Sequence, residues 1–438
     1  MEQVAHCFYN ARVLRNEKLV SDELWVIGKK IVTPERGREA ARIDRHNCYN
    51  KIIAPGFIDI QVNGAYGVDF SASDDLKYAL DKCSLLITQT GCTSYCPTII
   101  TATPEEYKHR LPQIPYREGS AANGATVLGV HTEGPFISME KRGCHPPHLV
   151  QSIPECATVE DAQKVLNKCY GEDRSNIVLL TLAPEHPGAM NVVKQLSSEG
   201  IVVSLGHSTS NYETGARALA QGASCLTHLF SAMNAFGHKE PALPGLISAK
   251  TLEMDCGSNY CPSTLYYGLI ADCIHTHPYS LRIAYCLNRH GLCLITDAMA
   301  ALGLPDGMYK LGETEVEVGG TPRRALKKGT DTLAGVVASL DECVRLFARE
   351  TQCGLAYALT AASTHPAECL GIDKWKGHLN PGADADLIVL DDDVIIHETW
   401  VMGEQVYDSK SGMHADVPRE FAAMTHIVPE SPRPSTYE

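Results

Sequence analysis

Eight short apolar runs, each ending in or near a polar side chain and each leading into the next part of one repeating rhythm, set the strongest constraint on how this chain folds. The runs are "FIDIQV", "TSYCPTI", "TVLGVH", "IVLLTLAP", "IVVSLGH", "SCLTHLF", "LYYGLIAD" and "GLCLITD". They are β-branched and apolar, the pattern of strands buried on both faces. Between them, "SDDLKYALDKCSLLITQTG", "VEDAQKVLNKCY", "AMNVVKQLSSEG" and "NYETGARALAQGA" carry helical spacing, with glycine at several ends. Strands alternating with helices build parallel βα units. Eight of them predict a closed (β/α)8 TIM barrel rather than an open, doubly wound sheet.

The two ends have a different pattern. Residues 1–54 offer "HCFYNARVL", "DELWVIGKKIV" and "CYNKIIAP", and after the last helical region comes "GHLNPGADADLIVLDDDVIIHETWVMGEQVYD". Both read as short strands joined by tight turns. The expected organisation is therefore a barrel over 55–371, with 1–54 and 372–408 combining into a small flanking β-sandwich. Residues 409–438, polar and proline-containing without periodicity, are expected to be a mobile tail.

Bulk properties narrow the partners. A formal net charge of -14 over 438 residues lacks the basic footprint that nucleic acid requires. It leaves room for a small anionic substrate, because a local basic pocket can exist on an acidic protein. No run approaches a membrane span, and the opening "MEQVAHCFYNARVLRNEK" lacks the ordered zones of a secretion signal. The 17 cysteines include no Cys-x-x-Cys pair, so a thiolate zinc site has no support. They are expected to be reduced and mostly buried, in a cytoplasmic protein.

In a (β/α)8 barrel the chemistry sits at the C-terminal ends of the strands. The first strand carries Asp59, Gln61 and Asn63 on alternate positions, hence on one face. The third ends in His131 and Glu133, the fourth leads to Glu185, and the fifth and sixth end at His207 and His228. The seventh leads to Asp272 and His275, and the eighth to Asp297. A single histidine after a strand is ordinarily a hydrogen-bonded structural residue. The set matters because one topology brings all of these to a common rim. Two histidines and one carboxylate match a catalytic divalent-metal site with an open position for water. Glu133, His207 and His228 are thus the expected ligands of one divalent ion per subunit, with zinc first and iron(II), cobalt(II) or manganese(II) as alternatives. Asp297 is placed to take a proton from the attacking water and pass it to a leaving group. His131 is assigned a supporting role and Glu185 a framework role. The "KRGCH" segment, Lys141 to His145, lies on a strand-to-helix loop of the kind that carries specificity.

The segments "APGFIDIQVNG", "GVHTEGPFI" with "KRGCH", "TLAPE", "SLGHS", "THLFSAMN", "IADCIHTHP", "LITDAMAALGL" and "DTLAG" resemble the amidohydrolase superfamily and, within it, the N-acetylglucosamine-6-phosphate deacetylases. The combination "HTEGPF", "LAPE", "GHS", "THLF" and "TDA" carries the closer resemblance, in order along the chain to about residue 408. It implies hydrolysis of an acetamide on a phosphorylated amino sugar, in amino-sugar catabolism, by a metal-dependent barrel with a flanking β-sandwich, as a homodimer. Carried over by position, the ligands fall on Glu133, His207 and His228 and the acid/base on Asp297. The substrate positions fall on Cys144 and His145, on Ser231 and Ala232, on Lys239, on Asp272 to His275, and on Leu333, Ala334 and Gly335. His275 would contact the substrate and help polarise its carbonyl, and Lys239 would reach the phosphate across the dimer interface. Ser231 stands where the family usually has Asn, Lys239 where it has Arg, and Cys273 where it has Gly. Lysine keeps the charge of arginine but loses its bidentate fork.

Two other readings are weaker. Another amidohydrolase, acting on a cyclic amide or an N-acyl amino acid, usually has a His-x-His on the first strand; this chain has Gln61 and Asn63 there. Neutral amides are poor ligands for a second borderline cation, so a one-metal site is expected, with Gln61 near the metal or its water. A non-catalytic scaffold would be marked by lost ligands, and none is lost.

Overall fold

The computed structural model describes residues 4–248 and 264–413. Eight parallel strands form the barrel: β1 (Phe57–Val62), β2 (Cys92–Ile99), β3 (Val130–Glu133), β4 (Ile177–Leu182), β5 (Val202–Leu205), β6 (Cys225–Leu226), β7 (Tyr266–Ile270) and β8 (Leu292–Ile295). They pair in that order. Past the ends of β8 and β1 the ring is completed by a parallel bridge between Val62 and Ala298. There the Asp297 N–H donates to the Gln61 carbonyl at 2.9 Å and the Asn63 N–H donates to the Ala298 carbonyl at 2.9 Å. The eight expected strands are all present, and so are the expected helices, as Leu76–Leu86, Val159–Tyr170, Ala189–Ser198 and Tyr212–Ala220.

Local chemistry accounts for these boundaries. Thr158 and Asp161 form a reciprocal capping box at the start of the Val159–Tyr170 helix, satisfying amides that lack an intrahelical partner. Its buried residues, Ala162, Leu166, Cys169 and Tyr170, recur at helical spacing and face the barrel. Every residue of β1 is buried, since helices cover a parallel barrel outside and side chains fill it inside. Three polar side chains on such a strand therefore need partners within the barrel.

The two termini build one nine-stranded sheet beside the barrel. Ile52–Pro55 pairs antiparallel with Leu387–Leu390, joining the N-terminal and C-terminal strands, and Phe8, Val13, Leu24, Val389 and Trp400 share its apolar core. The sheet runs further than the sequence suggested: Gly412–Met413 pairs with Glu404–Asp408, so ordered chain continues past Ser409. The remainder of the expected tail, 414–438, lies outside the described residues. Lys376 is buried, with its Nζ 2.5 Å from Asp386 and 3.2 Å from Asp384.

One element was not anticipated. After β8 the chain forms a three-stranded antiparallel meander, Gly307–Leu311, Thr314–Gly319 and Arg324–Lys327. Its inward residues Leu311, Val316, Val318 and Ala325 pack with Ile100, Cys144 and Met299, which places it over one side of the C-terminal rim. All fifteen cysteines among the described residues are free. No helix among the described residues is long and apolar enough to cross a membrane.

Candidate active site

Three strand ends deliver one compact group. The Oε1 atom of Glu133, the last residue of β3, lies 3.2 Å from His207 Nε2 and 3.1 Å from His228 Nε2, and the two nitrogens are 3.0 Å apart. All three residues are buried, and among the described residues they form the one group of His, Cys, Asp and Glu donors compact enough to hold a metal ion. Ligand atoms around a tetrahedral ion with bonds of about 2.0–2.2 Å lie roughly 3.3–3.6 Å apart, close to these spacings. His207 and His228 follow β5 and β6 and adopt left-handed backbone, φ 48° and 26°; Asp297, after β8, has φ 54°. Such backbone costs about 1 kcal/mol or more per non-glycine residue and concentrates at functional sites.

Hydrogen bonds fix how the rings present themselves. His207 Nδ1 lies 2.8 Å from the Lys141 carbonyl, which only accepts, so Nδ1 carries the proton and Nε2 offers a lone pair. Two imidazole nitrogens and a carboxylate oxygen facing one another share at most a proton, and a divalent cation satisfies all three. Burial pulls the His228 imidazole down, but its bond to Glu133 and the charges of Glu133 and Asp297 carry it up to about 9. His207 goes the other way: burial and the neighbouring His145 lower it despite Glu133. Burial would raise Glu133, yet hydrogen bonds from His145, His207 and His228 hold it well below the usual carboxylate range. The donor set, its burial and its deprotonated carboxylate fit a divalent metal.

Gln61 ties this group to Asp297. Its Nε2 donates to Glu133 Oε1 at 2.9 Å and to Asp297 Oδ1 at 3.1 Å, while Asn63 Nδ2 donates to the same Asp297 oxygen at 2.8 Å. Burial lifts the Asp297 carboxyl to about 6, the Glu133 charge pushes the same way, and His228, Asn63 and His275 pull against them. Asp59 does not join its two alternate neighbours: Oδ2 accepts from Thr296 Oγ1 at 2.6 Å, one pleat deeper in the barrel. Alternation gave the face and not the depth.

The remaining expected positions divide into those that ring the cluster and those that do not. His145 Nε2 is 3.7 Å from Glu133 Oε2, with Nδ1 on Thr101 Oγ1 at 2.7 Å. Cys144 Sγ lies 3.3 Å from the Leu333 carbonyl. The Val336 N–H donates to the Asp297 carbonyl at 3.1 Å, which brings Leu333, Ala334 and Gly335 alongside Asp297. The Ser231 N–H donates to the His228 carbonyl at 2.9 Å and the Ser208 N–H to the Ala232 carbonyl at 3.0 Å. His275 Nδ1 bonds Asp272 Oδ2 at 2.6 Å. Lys239 is exposed on the loop beyond β6, away from these contacts. Glu185 accepts from Ser208 Oγ, Thr209 N and Thr209 Oγ1 at 2.6–2.9 Å, a framework role. His131 bonds Thr181 Oγ1 at 2.8 Å and takes no part in the cluster. The Lys141 carbonyl is a participant that sequence could not reveal, because every residue carries one.

A model of the amidohydrolase family matches residues 52–406. The N-acetylglucosamine-6-phosphate deacetylase of Homo sapiens is 44% identical over 406 residues, 92% of this chain and 95% of that protein. The N-acetylgalactosamine-6-phosphate deacetylase of Escherichia coli O157:H7 is 30% identical over 90% of this chain and 98% of that protein. Among solved structures, a mutant N-acetyl-D-glucosamine-6-phosphate deacetylase from Mycobacterium smegmatis, in complex with N-acetyl-D-glucosamine-6-phosphate, superposes with a TM-score of 0.76 at 28% identity, covering 92% of this chain and 99% of that one.

Proposed function

This chain belongs to the amidohydrolase family, and from that premise we propose that it hydrolyses N-acetylglucosamine 6-phosphate to glucosamine 6-phosphate and acetate, in amino-sugar catabolism. The observation that carries the reading is the convergence of Glu133, His207 and His228 on one point, with Gln61 linking Glu133 to Asp297.

Glu133, His207 and His228 would hold one divalent ion, zinc by the chemistry of the set. Such an ion makes water a nucleophile near neutral pH and polarises a carbonyl. Asp297 accepts a proton as water adds to the acetamide carbon, then delivers it to the sugar nitrogen as the C–N bond breaks. The products are the free amine and acetate. Gln61 and Asn63 orient the Asp297 carboxylate through their amide N–H groups. His275 contacts the substrate carbonyl. Cys144, His145, Ser231, Ala232 and the 333–335 segment line the sugar site. Lys239, exposed on its own subunit, reaches the phosphate of a homodimeric partner as a point charge. The enzyme works in the cytoplasm, where its free thiols stay reduced.

Acetate release tests the reading: metal-loaded protein is assayed on N-acetylglucosamine 6-phosphate, on its 4-epimer N-acetylgalactosamine 6-phosphate, and on unphosphorylated N-acetylglucosamine. Turnover of the first, abolished by a chelator, is expected. A metal-loaded sample that turns over none of them overturns it.

A further inference from the structure

The turn after β7 holds a buried carboxylate and a histidine in one closed device. Asp272 Oδ1 accepts the backbone N–H groups of Ile274 at 2.9 Å and His275 at 2.8 Å, and Oδ2 accepts from His275 Nδ1 at 2.6 Å. Both carboxylate oxygens are thus engaged within four residues of chain. The arrangement holds Cys273 at φ 61°, left-handed backbone that is unfavourable for a side-chain-bearing residue. Three hydrogen bonds to one charged group sustain it. The outer atom of the ring, His275 Nε2, is buried and bonds no protein atom among the described residues, which leaves it free to meet a ligand.

We propose that Asp272 is the positioning residue of His275: it fixes the ring with the proton on Nδ1, so that Nε2 alone meets the substrate, and it acts on the reaction only through that ring. A carboxylate has no proton to give, so the Nδ1 of a ring 2.6 Å away must be the donor. Burial by itself would raise the Asp272 carboxyl, and its bonds from the His275 ring and the two backbone amides hold it below its usual range. This departs from the sequence expectation that Asp272 touches substrate directly. It deepens the deacetylase reading, on which the identity of the substrate rests, while the ring state does not depend on any substrate.

The experiment has two arms. In resting, metal-loaded protein carrying 15N-histidine, the signals lost in His275→Gln belong to this ring; they should show the proton on Nδ1. In Asp272→Asn the amide oxygen keeps the backbone N–H groups and the NH2 turns to Nδ1, so the proton should move to Nε2, as when the triad aspartate of a serine protease is replaced by asparagine. In the kinetic arm, Asp272→Asn should lower kcat by about 10- to 100-fold, the usual cost of removing such a supporting partner, with KM changed by no more than about twofold. Added to His275→Gln it should cost nothing further. A wild-type ring protonated on Nε2, a raised KM at unchanged kcat, or an additive double variant each overturns the proposal. If the wild type releases no acetate, the deacetylase reading falls, and the wild-type spectrum still decides this one.

Discussion

His207 and His228 face each other nitrogen to nitrogen, Nε2 to Nε2 at 3.0 Å, with Glu133 Oε1 within 3.2 Å of both. His207 Nδ1 spends its proton on the Lys141 carbonyl, so three groups converge with at most one proton among them. One divalent ion per chain is the expected content, measured by elemental analysis of protein purified without chelator. Loading the ion should raise Tm by mass action, and His207→Ala should abolish that rise. Gln61→Ala should keep the ion and lose about 10- to 100-fold in kcat, because it removes an outer partner and no ligand.

Replacing Asp297 by Asn keeps its shape and its contact with Gln61 but removes the proton carrier. kcat should fall by about 10²- to 10⁴-fold, the range for a general acid–base group, with metal content unchanged. Equal turnover in the variant would remove Asp297 from the chemistry.

Asp59 should make stability pH-dependent in an unusual direction. Burial raises its carboxyl to about 7, against the hydrogen bonds from Thr296 and Gln61. A raised folded-state value means that the native chain binds the proton more tightly than the unfolded chain. The group therefore favours folding at pH 4, and that contribution is lost as pH rises towards 7; a shift of this size corresponds to about 4 kcal/mol. Asp59→Asn cannot titrate. Tm of the wild type relative to the variant should fall between pH 4 and 7 and then level off.

Lys376, 1% exposed in its side chain, lies between Asp384 and Asp386, and Asp384 pairs with Lys30 as well, at 2.7 Å. Lys376→Met leaves the buried Asp386 carboxylate without its cation while Asp384 keeps Lys30, and breaking such a buried pair costs about 3–5 kcal/mol. Chemical denaturation should show the loss, while kcat per folded molecule stays within about twofold.

The sequence by itself determined the eight strands, their order, and the strand ends that carry chemistry. Those signals are local: an apolar β-branched run, a helical repeat, a cap and a glycine are written within twenty residues of chain. Glu133, His207, His228 and Asp297 were legible because a barrel maps every strand end to one rim. Period two likewise placed Gln61 and Asn63 on one face of β1. Only the tertiary structure decided depth and partner. It set Asp59 against Thr296 while Gln61 reaches Glu133 and Asp297. It recruited the Lys141 carbonyl to set the His207 tautomer, closed both oxygens of Asp272 on their own turn, and laid an unexpected meander beside the site. Each of these depends on distances between atoms that the chain brings together only by closing the barrel, and side-chain identity along a strand contains no measure of them.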